Sequence, residues 1–158
     1  MNNIEESLNN ALSTINMARM FNAKLDSWPN VLLSGLTGTG KTEITKQWAK
    51  KHNILLASYD LSCDVTTVYK EDAEGKLQPQ KAENPVSVAK QLIFSTLIKY
   101  KEGKDFVLFL DDYHRATKDN LEAINYTIDT HKIVNPETNE EIELNNMLFT
   151  IAIKTTQI

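Results

Sequence analysis

The stretch Asn-Val-Leu-Leu-Ser-Gly-Leu-Thr-Gly-Thr-Gly-Lys-Thr, residues 30–42, constrains the fold more than any other part of the chain. Gly35, four intervening residues, then Gly40, Lys41 and Thr42 spell the pattern G-x-x-x-x-G-K-[ST], a phosphate-binding loop when a strand precedes it and a helix follows. Both flanks are present. Val31-Leu32-Leu33 is an apolar run suited to a buried parallel strand, and Ile44, Trp48 and Ala49 recur at helical spacing after Thr42. The glycines let the backbone turn tightly and present several N–H groups to phosphate oxygens. The helix adds the positive end of its dipole. Gly35, Thr37, Gly38, Thr39, Gly40, Lys41 and Thr42 are therefore the candidate nucleotide-binding residues. Lys41 is placed to reach the β- and γ-phosphates, and the Thr42 hydroxyl to ligate Mg²⁺.

The rest of the composition narrows the field by exclusion. A chain of 158 residues suffices for one domain with its own core. Its 41% hydrophobic and 24% charged content is that of an ordinary globular domain. A net charge of −4 offers no general basic field for nucleic acid. Cys63 is the only cysteine and has no internal disulfide partner, which fits a reducing compartment; it reads as a small structural residue. The start, Met-Asn-Asn-Ile-Glu-Glu, lacks a basic n-region, and no apolar stretch approaches membrane-spanning length. The expected location is cytoplasmic, with no membrane partner.

In chain order, Asn3 to Phe21 reads as an amphipathic helix, with Ile4, Leu8, Leu12, Ile15, Met17 and Met20 or Phe21 on its apolar stripe. Its plain role is packing on the main sheet. A sharper alternative lays its end, with the linker 22–29, over a nucleotide base. Asp26-Ser27-Trp28-Pro29 breaks the helix. Residues 54–59 form a second apolar strand ending at Asp60, Ser62 and Asp64, at the strand end where open α/β sheets collect ligands; a solvated loop reads equally well. Residues 65–80 suggest a small hairpin. Asn84-Pro85 starts a helix to about Lys101.

Phe106-Val-Leu-Phe-Leu110 is a continuous apolar run, a fully buried strand, and it ends in Asp111-Asp112. An apolar strand closed by an acidic pair is the second half of an NTPase site: the first acid holds Mg²⁺, and the second polarises the attacking water. Thr117 caps a helix to about His131, Lys132 to Leu144 reads as a hairpin, and 147–153 is a third long apolar strand. His52, His114 and His131 have no metal-ligand spacing and read as surface or helix-end residues.

With these stretches in place, the sequence resembles the AAA+ ATPases, and within them the MoxR-like, dynein-related group. The residues that carry the likeness are Gly35–Thr42, then Val-Leu-Phe-Leu-Asp-Asp-Tyr-His-Arg-Ala at 107–116, then the 135–144 hairpin leading into 146–152. The resemblance covers most of the chain, from about Trp28 to Ala152. It implies an α/β three-layer sandwich with a parallel sheet in the order 5-1-4-3-2, four strands of which this chain supplies. It divides the chain into an N-terminal helix, 1–24, and a nucleotide-binding core, 25–158. Within that core 65–80 looks like the insert in the family's second helix, and 132–146 like the hairpin ahead of sensor 1. It implies ATP/ADP and Mg²⁺ as cofactors, with Thr42 and Asp111 at the metal, and a ring, usually a hexamer, that remodels a client protein.

Three departures matter. The second acid is Asp112 where the group has glutamate, one methylene longer. Sensor 1, usually asparagine, falls on Thr155, with Thr156 next to it; threonine reaches less far. The sequence ends just after sensor 1, which reads as a truncation of the group's pattern: the fifth strand, the helical lid and the usual downstream arginine finger are missing from it. Arg115 matches the group's "NRA" arginine and is a candidate at a subunit interface, alternatively a surface salt bridge. Asp112, Thr155 and Arg115 are thus the candidate catalytic residues. The expected function is an ATP-binding core with slow hydrolysis. The alternative is a nucleotide-dependent interaction module that barely turns over. A P-loop kinase and a nucleic-acid translocase rank below both.

Overall fold

The computed structural model describes residues 3–25, 27–36 and 38–156; Asp26 and Thr37 lie outside them. The elements that build the core are α1 (Asn3–Met20), β1 (Asn30–Leu36), α2 (Lys41–Lys51), β2 (Leu55–Asp60), β3 (Thr67–Glu71), β4 (Leu77–Lys81), α3 (Pro85–Leu97), β5 (Phe106–Asp111), α4 (Lys118–Thr130), β6 (Lys132–Val134), β7 (Glu141–Glu143) and β8 (Met147–Thr156). Short 3₁₀ turns follow α3, at Ile98–Tyr100, and β5, at Tyr113–Arg115.

Four strands pair in the order β1-β8-β5-β2, every pair parallel. This is the order 1-4-3-2 of the expected sheet. Burial follows position. Phe106 to Leu110 and Met147 to Ile151 are buried without interruption because both strands are central and covered on both faces. β1 and β2 lie at the edges and alternate. Leu32 is 54% exposed for this reason, although the sequence places it in a buried run.

One face of the sheet packs on α1 and α2: Leu8, Ala11, Ile15, Trp48 and Ala49 meet Leu33, Val107, Phe109, Phe149, Ile151 and Ile153. The other packs on α3 and α4 through Ala89, Ile93, Leu97, Ala123 and Ile124 against Ala57, Tyr59, Phe106, Leu108 and Leu110. The result is a three-layer α/β/α sandwich. Caps set the helix starts: the Asn84 side chain accepts from Ser87 N–H, and that of Thr117 from Asn120 N–H. Asn120, fully buried, ties the loop after β2 to α4. Its amide donates to the carbonyls of Leu61 and Cys63 at 3.0 Å each, and its oxygen accepts from the Tyr59 hydroxyl at 2.6 Å. Burial then pushes the Tyr59 hydroxyl well above its ordinary pKa.

The structure departs from the sequence reading elsewhere as well. The apolar stripe of α1 ends at Ile15; Met17, Met20 and Phe21 are exposed because the sheet beneath them has ended. Arg19, near the end of α1, binds Asp105 at 2.8 Å, just ahead of β5, so this end of the helix lies at the edge of the sheet where the strands begin. The β3–β4 hairpin leads into α3 rather than interrupting a helix. His131 closes α4 in the left-handed conformation, as a helix-end residue should, yet it is 5% exposed rather than on the surface. Trp28 stacks on its ring at 3.7 Å, and its Nδ1 meets the Met147 carbonyl at 3.1 Å. Burial lowers its pKa from 6.5 to about 4.

Candidate functional site

The carboxyl ends of the parallel strands gather most of the candidate residues. Between β1 and α2 the backbone takes positive φ at Gly38 (81°) and Gly40 (80°), conformations that cost any residue bearing a Cβ. Gly40 is the N-cap of α2 and has no side chain with which to cap it, so the first N–H groups of the helix are left for an external acceptor. Lys41, 7% exposed, folds its ammonium back over the loop. It donates to the carbonyls of Gly35 at 3.0 Å and Leu36 at 2.8 Å, and to the Thr39 hydroxyl at 3.2 Å. Thr39 in turn donates to the Leu36 carbonyl at 2.9 Å. A Cβ on Gly35 would stand 3.5 Å from Thr39 Oγ1 and 3.6 Å from Lys41 Cδ, so the glycine clears the space through which the lysine passes. Positive charge, bare helix N–H groups and turning glycines together fit a phosphate chain. Thr42 is partly buried on the first turn of α2. Thr37 lies outside the described residues.

β8 separates the loop strand from the acidic strand. Thr155 is the register partner of Gly35, and Thr156 of Leu36. On β5, Asp111 is two strand spacings from β1, about 10 Å. By the two-residue alternation Leu33, Gly35, Val107, Phe109, Asp111, Ile153 and Thr155 share the α2 face of the sheet. Asp111 Oδ1 accepts the Asp112 N–H at 3.0 Å, which leaves its other oxygen for a cation. A carboxylate and a hydroxyl on one face are hard oxygen donors of the kind Mg²⁺ takes, with water completing its shell.

Asp112 departs from this line. It takes the left-handed conformation, φ 53°, and heads the 3₁₀ turn. Among the described residues its carboxylate pairs with His114 Nε2, at 4.0 Å. The other ring nitrogen, Nδ1, accepts the Thr155 N–H at 3.2 Å. The sequence reading left His114 as a surface or helix-end residue; its place two positions after an acidic pair was the available signal. Arg115 is exposed and has no ion pair among the described residues. The polar residues after β2 serve their own turns: Asp60 Oδ1 accepts from Ser62 N–H and hydroxyl at 2.9 and 2.6 Å, Asp64 Oδ1 from Thr66 at 2.8 and 2.6 Å. Those bonds hold the Asp64 carboxyl below the usual carboxylate range.

Strand, glycine loop, uncapped helix and acidic strand end define a P-loop nucleotide-binding α/β domain. The model of the AAA domain (dynein-related subfamily) matches residues 30–155, and the chain belongs to that family. It is an AAA+ nucleotide-binding domain. Two solved structures of mutants of Thermotoga maritima RuvB share the fold. One is 23% identical, with TM-score 0.52 over 97% of this chain and 40% of that one. The other is 21% identical, with TM-score 0.50 over 98% and 38%. The chain thus spans about 40% of the solved chains it matches. No curated protein sequence matches it. Among the described residues no helix is long and apolar enough to cross a membrane.

Proposed function

We propose that the domain binds ATP and ADP with Mg²⁺ and hydrolyses ATP slowly, as the core of a MoxR-like remodelling or chaperone assembly. The observation that carries this reading is the Lys41 ammonium held over the loop carbonyls beside the uncapped start of α2. On this reading Gly35, Gly38, Thr39, Gly40 and Lys41 hold the phosphates, together with Thr37; Thr42 and Asp111 hold the metal. Bound Mg²⁺ would neutralise phosphate charge. Asp112 would accept a proton from the attacking water, and Thr155, beside Gly35, would stand near the terminal phosphate. Arg115, exposed and unpaired among the described residues, suits a subunit interface in a ring such as a hexamer. The client protein is the open variable, and nucleic acid is disfavoured by the acidic balance.

A second reading keeps the binding and drops the turnover: an interaction module switched by nucleotide. The pairing of Asp112 with His114, and the aspartate's shorter reach, favour it. Phosphate release from Mg²⁺-ATP decides between the two. Release that disappears in Asp112→Ala supports hydrolysis; tight nucleotide binding with no release supports the module. For the metal, Thr42→Ala should weaken binding chiefly when Mg²⁺ is present. Equal loss in chelator would contradict a metal role for this hydroxyl.

A further inference from the structure

His114 touches both halves of the candidate site. Its imidazole bridges the first turn after β5 and the last residues of β8. Nδ1 accepts a backbone N–H from Thr155, so in the neutral ring the proton sits on Nε2. Nε2 lies 4.0 Å from Asp112 Oδ1. The side chain is 19% exposed, so neighbours restrict the ring, whereas Asp112 at 38% is freer to move. The backbone bond thus fixes tautomer and ring plane together, and the donor left over faces the acid proposed to act on water. Asp112 sits on a left-handed backbone that sets its direction apart from that of Asp111. The bond also joins Asp112 to the strand position that flanks Gly35, the first glycine of the loop.

We propose that His114 is a positioning residue: its Nε2–H directs the Asp112 carboxylate, and its bond to Thr155 ties that direction to the end of β8 beside the phosphate-binding loop. The role rests on the hydrolysis reading for its kinetic part and on the geometry alone for its structural part. At 4.0 Å the pair is looser than a hydrogen bond, so a small shift of β8 or of the turn would make or release it.

The test uses the full chain with His114→Ala, His114→Gln, Asp112→Asn and the double variant His114→Ala/Asp112→Asn. Four measurements follow: affinity for a fluorescent ATP analogue, phosphate release, amide exchange at Thr155, and melting temperature. His114→Ala should leave affinity within about twofold and lower turnover about tenfold or more, the scale on which a misplaced catalytic group costs rate. The double variant should be no slower than Asp112→Asn alone, because His114 acts through that acid. His114→Gln, whose amide can still donate at the reach of Nε2, should recover most of the turnover. Additive losses in the double variant would overturn the proposal, as would full turnover in His114→Ala. Should the parent chain release no phosphate, the hydrolysis reading fails by itself. The structural part is then decided by Thr155: faster amide exchange in His114→Ala at unchanged melting temperature supports the link, and unchanged exchange refutes it.

Discussion

The two ends of the parallel sheet are built on different principles. At the edge where the strands begin, side chains from distant segments close on one another. Arg19 binds Asp105, Asn146 donates to the carbonyls of Tyr100 and Lys104, and Trp28 lies on His131. At the edge where they finish, polar side chains are held mostly by nearby backbone. Lys41 rests on the carbonyls of Gly35 and Leu36, and Asp111 on the N–H of Asp112. A group held by its own loop is satisfied without being neutralised, so its charge stays available to a ligand. A group spent on a distant partner stabilises the fold and offers little else. This difference supports the proposed site at the carboxyl edge, where open α/β sheets collect ligands.

If the comparison is right, substitutions at the two edges give opposite results. The largest effect is expected from Lys41→Ala. Losing the charged donor proposed to meet the phosphates should cost roughly two to three orders of magnitude in ATP affinity, about 3–4 kcal/mol. Isothermal titration would show this, with the melting temperature moved only slightly. Undiminished affinity would break the site assignment and the comparison with it.

Next in size is a pH effect confined to the opposite edge. His131 has its folded pKa lowered from 6.5 to about 4 by burial. The unfolded chain takes up a proton below 6.5, while the folded chain resists until about 4. Stability from this group is therefore complete above pH 6.5 and is lost as pH falls through that window, by an amount on the order of 3 kcal/mol at most. Urea midpoints at pH 7 and 4.5 should differ in that direction, and His131→Gln should flatten the dependence. A variant as acid-sensitive as the parent would show that other groups dominate.

How much of this could be read from the residues depends on the range of the interactions involved. The phosphate loop and the central strands were legible because each is a local pattern: fixed glycine spacing, or an apolar run with no polar interruption. The acidic strand end was legible only as the sequel to that loop. Edge exposure was not, since Leu32 and Leu33 are the same residue type, and they differ in that Leu33 faces α1 and α2 while Leu32 lies on the opposite face of an edge strand. The buried His131 depends on Trp28, far away in sequence, and on a helix ending in the left-handed conformation, which no histidine advertises. The left-handed Asp112, and with it the bridge through His114, escaped because positive φ at a non-glycine residue leaves little trace in sequence.

A smaller effect separates strain from sterics at the loop. An alanine Cβ at position 40 would meet nothing closer than Ile44 Cδ1 at 3.7 Å, so packing does not forbid it. The backbone does, because φ is 80°. Gly40→Ala should cost about 1–2 kcal/mol, measured by chemical unfolding. Affinity should fall as well, because the same strain tilts the N–H groups at the start of α2. Lost affinity with unchanged stability would mean that the loop adopts another path.

The smallest effect is expected at the edge where the strands begin. Arg19 and Asp105 form a close pair at 2.8 Å, with a second guanidinium nitrogen 3.2 Å from the other carboxylate oxygen. Bidentate geometry of this sort is the favourable case for a surface ion pair. Yet both side chains are more than 40% exposed, at 43% and 42%, so water and salt screen the attraction and holding two long side chains costs entropy. Arg19→Ala should therefore lower stability by no more than about 1 kcal/mol, less in high salt, and leave nucleotide affinity unchanged. A large loss of stability would mean that the pair anchors the end of α1 as a unit with the Asn145 carbonyl, which Arg19 also reaches at 3.4 Å. A loss of affinity would be the more damaging result, since it would couple the two edges that the contacts keep apart.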